Sequence, residues 1–246
     1  MDRRDFMKMI GAVPMLTIFK GQNTMGLSHR LHTLEIPKQQ SILKILEEIN
    51  PGQLVVIGSR PSVGKSAVAL NLLNELAVVQ NEGCVYFSIE CSKEIIMQRW
   101  MCLRSDISYA ALKTGKLSVD QYEQVIQSSG EISKSKVYIS DNSKMSTELI
   151  SEQIVELKKK KKNIKYVFID YLNLLHTQNE NLSRNDQITE VLSDLKALAI
   201  KENLIIIALS QVNKGVELHS NLRPQPQQLR EINNISSIDR IILLNK

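Results

Sequence analysis

The residues with the clearest chemistry form one run, Leu54-Val55-Val56-Ile57-Gly58-Ser59-Arg60-Pro61-Ser62-Val63-Gly64-Lys65-Ser66. An apolar strand feeds a loop of small residues, and Gly64-Lys65-Ser66 opens a helix. Backbone N–H groups of such a loop, with the helix N-terminus behind them, make a cradle for phosphate oxygens. Gly64 lets the backbone come close. Lys65 supplies a point charge for the outer phosphates, and the Ser66 hydroxyl is a ligand for Mg2+. Ser59, Arg60, Pro61, Ser62 and Val63 complete the loop. One position departs from the usual phosphate-loop pattern: Ser59 stands where the first glycine is expected, with Gly58 one place early.

Three further apolar runs end in polar residues of the right kinds. Tyr166-Val167-Phe168-Ile169 ends in Asp170, a carboxylate suited to holding Mg2+ through water. Phe87-Ser88-Ile89 ends in Glu90, which can polarise an attacking water. Ala208-Leu209-Ser210 ends in Gln211, an amide able to sense a terminal phosphate and pass its presence to the following loop. None of the last three stands on its own. Ligand-contacting residues of a parallel sheet gather at the carboxyl ends of its strands. On one such sheet the four groups converge, and the expected chemistry is hydrolysis of a nucleoside triphosphate.

The surrounding pattern supplies that sheet. The short runs at 54–57, 84–89, 137–139, 166–169, 204–209 and 241–244 are nearly continuous in apolar residues, as strands covered on both faces require. Helices are predicted over Lys65–Val79, from Ser92 or Lys93 to about Leu103, from Ser146 or Thr147 into a lysine run, and over Asn185–Glu202. Ser118 and Gln121 have the spacing of a capping box. The fold class is therefore α/β, with a mostly parallel doubly wound sheet and flanking helices.

Composition narrows the rest. The chain has 246 residues, of which 43% are hydrophobic and 23% charged, which excludes wholesale disorder. The absence of a long apolar run argues against a membrane partner. Aromatic residues make up only 4%, too few for a base-stacking platform. The cysteines, Cys84, Cys91 and Cys102, have no metal-ligand spacing and read as reduced thiols, in keeping with a cytoplasmic location. The net charge of +5 equals the charge of one run, Lys158–Lys162, which reads as a helix C-terminus or as a basic patch for DNA. Residues 1–40 differ in character and are expected to be an arm, linker or docking helix, followed by one domain over 41–246. The segment Arg3-Arg4-Asp5-Phe6-Met7-Lys8 is similar to a twin-arginine export signal, but the small-residue cleavage site is missing.

From about residue 40 onward the motifs resemble the C-terminal, RecA-like domain of DnaB-type replicative helicases. The phrases that carry the likeness are Ser59-Arg60-Pro61-Ser62-Val63-Gly64-Lys65-Ser66, Phe87-Ser88-Ile89-Glu90, Ile169-Asp170-Tyr171-Leu172, Ala208-Leu209-Ser210-Gln211 and Leu229-Arg230-Glu231. In that family a small residue replaces the loop's first glycine, so Ser59 supports the likeness. The resemblance implies a RecA-like P-loop fold and an ATP-dependent DNA helicase using ATP and Mg2+. It implies a ring hexamer of this chain, or association with a full-length helicase, around single-stranded DNA. It gives Lys65 and Ser66 to phosphate and Mg2+, Glu90 to water, Asp170 to Mg2+ and Gln211 to sensing, and sets Arg230 near the nucleotide. DNA loops are implied at about 176–184 and 213–228, the second carrying Lys214, His219 and Arg223 for phosphate contacts. The family's trans-acting arginine finger falls beyond residue 246, so weak hydrolysis by the isolated chain is expected, and a regulatory, non-motor ATP-binding paralogue is the alternative. A RecA or RadA filament protein fits the Arg-Pro-Ser loop less well.

Overall fold

The computed structural model describes residues 16–20, 30–34, 48–160, 162–177, 179, 181–212 and 226–244. The strands are β1 (Leu16–Lys20), β2 (Arg30–Leu34), β3 (Leu54–Ser59), β4 (Gly83–Ser88), β5 (Val137–Ser140), β6 (Ile164–Asp170), β7 (Ile205–Gln211) and β8 (Arg240–Leu244). They form one sheet in the order β2-β1-β8-β3-β7-β6-β4-β5. From β8 to β5 every pairing is parallel. β1 adds to β8 antiparallel, and β2 to β1 antiparallel. Part of the N-terminal segment, expected to be an arm, linker or docking helix, is thus a two-strand extension of the sheet edge.

The helices are α1 (Lys65–Asn74), α2 (Lys93–Ser105), α3 (Tyr109–Thr114), α4 (Val119–Lys134), α5 (Thr147–Lys159) and α6 (Arg184–Glu202). α1 runs on as one wider turn, Glu75–Val79. The Ser118/Gln121 capping box at the start of α4 is present. Alternate residues of each central strand enter opposite cores, as the twofold repeat of a strand dictates. Leu54, Val56, Val167, Ile169, Ile206 and Ala208 meet α5 and α6 through Ile150, Ile154, Val191 and Leu195. Val55, Ile57, Phe168, Ile207 and Leu209 meet α1 and α2 through Val68, Leu72, Leu73, Ile96 and Trp100. Each such buried side chain contributes about 1.5–3 kcal/mol, which fixes the sheet rigidly between the layers.

The lysine run closes α5. Lys158 bonds the Glu202 carbonyl and lies 3.2 Å from its carboxylate, and Lys162 rests 5.5 Å over the Tyr138 ring. All three cysteines are free thiols, with Cys84 and Cys102 buried. Burial, with the Glu82 charge second, pushes the Cys84 thiol up to about 12, so it stays protonated and unreactive. Among the described residues no helix is long and apolar enough to cross a membrane.

Candidate active site

The four strands β3, β7, β6 and β4 are neighbours, and each delivers one predicted group at its carboxyl end. The loop after β3 turns through two left-handed residues, Ser62 at φ 63° and Gly64 at φ 102°. At Gly64 a side chain would be strained. The turn points the first N–H groups of α1 across the strand ends, and no acidic residue in the first turn of α1 competes for them. Ser59, in the place of a glycine, is fully buried, and its hydroxyl donates to the Arg60 carbonyl at 2.9 Å. The close approach belongs to Gly58 instead. A Cβ there would stand 2.4 Å from Leu229 Cδ2 and 2.8 Å from Leu243 Cδ2.

One cleft of about 580 Å3 gathers Arg60, Pro61, Ser62, Gly64, Lys65 and Ser66 with Glu90 and Gln211. Val63 turns inward and is buried. Glu90 is exposed, and the Ile89 N–H before it donates to the Asp170 carbonyl at 2.8 Å, which ties the Glu90 turn to the end of β6. Gln211 pairs in register with Ser59, and the Val212 N–H donates to the Ser59 carbonyl at 2.9 Å. The sensing amide is therefore bolted to the phosphate loop through the sheet.

Asp170 is buried, 5% exposed, under the cleft's inner edge rather than on its wall. Its Oδ2 accepts from the Tyr86 hydroxyl at 2.8 Å, while its buried Oδ1 has no protein partner. An orphaned carboxylate oxygen inside a protein is costly unless something meets it. A hydrated cation fits that requirement, and the Ser66 hydroxyl fits its inner shell. Among the described residues no group of three or more His, Cys, Asp or Glu could hold a metal. This donor set therefore suits an ion that arrives with its own waters and phosphates. Lys65 Nζ lies 5.2 Å from the ring centre of Tyr171, the residue after Asp170.

Sequence reasoning brought Lys65, Ser66, Glu90 and Gln211 together on one wall, and Asp170 beside them. It missed Tyr86 and Tyr171. Burial raises the hydroxyl pKa of both; Asp170 is the next cause at Tyr86, and Glu90 at Tyr171. A tyrosine in an otherwise apolar strand was the available signal, since a buried hydroxyl needs a partner. It also missed the wall facing the phosphate loop, built by Arg99, Leu103 and Tyr109 from α2 and α3. Arg230 is exposed and binds with its backbone: its N–H donates to the Gln211 carbonyl at 2.7 Å. In the loop after β6, Arg184 faces inward and donates to the carbonyls of Asn173 and Leu175. Lys214, His219 and Arg223 lie outside the described residues.

Comparison with known proteins gives one consistent answer. The model of the DnaB-like helicase C-terminal domain matches residues 39–246. The replicative DNA helicase DnaB of Geobacillus stearothermophilus is 32% identical over 183 residues, covering 74% of this chain and 40% of that protein. The DnaB of Helicobacter pylori is 32% identical over 194 residues, covering 79% and 40%. The chain thus spans about two fifths of the length of these relatives. Among solved structures, an isolated ATPase domain superposes with a TM-score of 0.77 at 29% identity, covering 80% of this chain and 71% of that one. A DnaB-like replicative helicase, described with its interactions with primase, gives 0.76 at 26%, covering 85% and 57%.

Proposed function

The chain belongs to the DnaB-like helicase C-terminal domain family, and on that premise we propose that it is an ATP-dependent DNA helicase motor domain, coupling hydrolysis of ATP to movement along single-stranded DNA. The observation that carries the reading is the meeting of Lys65, Ser66, Glu90 and Gln211 in one cleft beside the open oxygen of Asp170.

The residues divide the work by position. The N–H groups of the loop and of α1 hold the phosphates, and Lys65 adds a full charge where negative charge builds up at the outer phosphate. Ser66 and Asp170 would hold Mg2+, whose chemistry is to bridge phosphate oxygens and neutralise their charge. Glu90 accepts the proton of the attacking water as the new O–P bond forms and the bond to the diphosphate breaks. Gln211 stands at the end of a strand registered to the phosphate loop, so loss of the outer phosphate changes its bonding first.

Single-stranded DNA is the proposed track, contacted by the segments after β6 and β7 that include Lys214 and Arg223. Self-association into a ring, or joining a longer helicase, is part of the proposal, with the cytoplasm as its place. Val119, Tyr122 and Ile126 form a stripe on α4 that is 76%, 55% and 66% exposed, an apolar face suited to a second copy. The test is ATP-driven opening of a forked duplex by the protein and by Lys65→Ala and Glu90→Gln. Unwinding lost in both variants supports the proposal. Nucleotide binding without DNA-stimulated hydrolysis would replace it with a non-motor role.

A further inference from the structure

We propose that Asn173 is a positioning residue that holds the carboxyl ends of β6 and β7 at a fixed separation, and with them Asp170 and Gln211; the inference rests on reading the cleft as a nucleotide site. The parallel ladder between β6 and β7 ends at the Ile169–Ala208 pair. Asp170 and Gln211 lie beyond it, so backbone pairing does not fix the distance between them. Asn173 sits in the short turn Leu172–Leu174, three residues after Asp170, and is 8% exposed. Its amide reaches across to β7 where the ladder stops.

All the amide's donors and its acceptor are in use. The Ser210 hydroxyl donates to Asn173 Oδ1 at 3.1 Å. Asn173 Nδ2 donates to the Arg230 carbonyl at 2.7 Å and to Glu231 Oε2 at 3.3 Å. The Arg230 carbonyl can only accept, which fixes the nitrogen on that side of the amide. Ser210 precedes Gln211 in the chain, and the Arg230 N–H donates to the Gln211 carbonyl. One side chain therefore grips the strand end from both sides of Gln211. Asn173 is itself anchored: its carbonyl accepts from Arg184 at 2.7 Å, and Arg184 Nε lies 3.5 Å from the same Glu231 carboxylate. Glu231 holds a left-handed backbone, φ 63°, which a closed ring of bonds can maintain. An aspartate at 173 would lose both donations and set its charge against Glu231. A leucine would keep the volume and lose every bond.

The experiment is a cycle on DNA-stimulated ATP hydrolysis by the full chain, with Asn173→Asp and Gln211→Ala alone and together. Asn173→Asp is expected to lower kcat by about 10- to 100-fold, the scale of a reacting group displaced by about an ångström, with KM for ATP and the thermal midpoint little changed. In the Gln211→Ala background it is expected to add nothing, because residues acting through one another are not additive. Ser210→Ala, a gentler cut in the same network, should show a smaller loss that also vanishes with Gln211→Ala, and it serves if Asn173→Asp does not fold. An unchanged kcat, or the same fold loss in both backgrounds, overturns the proposal. Lys65→Ala separates the two readings. If it retains hydrolysis, the nucleotide site itself is misplaced; if it is dead while Asn173→Asp is additive, only the positioning role falls.

Discussion

The Tyr86 hydroxyl donates to Asp170 Oδ2 at 2.8 Å, in a part of the sheet where the tyrosine is fully buried and the carboxylate nearly so. The bond occupies one carboxylate oxygen and turns the other toward the cleft's inner edge. Tyr86→Phe removes the donor and leaves that oxygen unmet, a change that costs about 1–3 kcal/mol. Urea unfolding should show this loss, and nucleotide binding should need more Mg2+. The pH dependence has a definite sign. Burial holds the Tyr86 proton well beyond the ordinary tyrosine range in the folded state. Its contribution is therefore intact below about pH 10 and is lost as pH rises further, because the unfolded chain gives up the proton first. The alkaline fall in stability should be shallower in Tyr86→Phe than in the parent.

Glu90 is exposed on the cleft wall, and its turn is tied to β6 by the backbone. Glu90→Gln keeps the shape and removes the proton acceptor. The expected result is a loss of about 10²- to 10⁴-fold in kcat, with affinity for a non-hydrolysable triphosphate within about two-fold of the parent. Steady-state hydrolysis and a binding titration check the two halves. A large loss of affinity would move Glu90 from water activation to phosphate binding.

Gly58 marks where the fold tolerates no side chain. A methyl group there meets Leu229 and Leu243 at distances no packed pair adopts. Both are flexible side-chain ends, so the protein should adjust and fold, less stably by about 1–3 kcal/mol. Leu229→Ala combined with Gly58→Ala should cost less than the sum of the two single changes, as measured by thermal or urea unfolding.

Asp194 offers a second pH test, away from the cleft. Its carboxylate accepts from Thr147 Oγ1 at 3.0 Å. Burial raises its pKa above the ordinary 3.8, and the charges of Glu190 and Glu148 add to the rise. The unfolded chain releases this proton first, so stability falls as pH rises from about 3.8 through the raised value and stays lower at neutral pH. Asp194→Asn keeps an acceptor for Thr147 and removes the charge. Its melting temperature should exceed the parent's at about pH 7, with the difference gone near pH 3.

Much of this was legible in the residues. The apolar runs gave the six parallel strands because strands buried on both faces need continuous apolar side chains, and the polar residue closing each run marked its cleft end. The N-terminal strands Leu16–Lys20 and Arg30–Leu34 were not legible. Their partner, β8, lies more than two hundred residues away, and an edge pairing leaves no periodic mark of its own. The supporting polar contacts were hidden for a related reason. Tyr86 with Asp170, and Asn173 with Ser210 and Glu231, join residues 37 to 84 positions apart, and no local spacing encodes such a meeting. Ser59 was informative only through family likeness. The structure adds the physical reason: the hydroxyl satisfies the Arg60 carbonyl, while Gly58 meets the demand for space.

The central claim is that residues distant in the chain surround one triphosphate tail. Calorimetric titration of ATP with Mg2+ into the parent, Lys65→Ala and Glu90→Gln tests it most directly. The predicted result is one site in the parent, at least about ten-fold weaker binding in Lys65→Ala, in keeping with the loss of a charged contact, and parent-like binding in Glu90→Gln. Parent-like affinity in Lys65→Ala would contradict it.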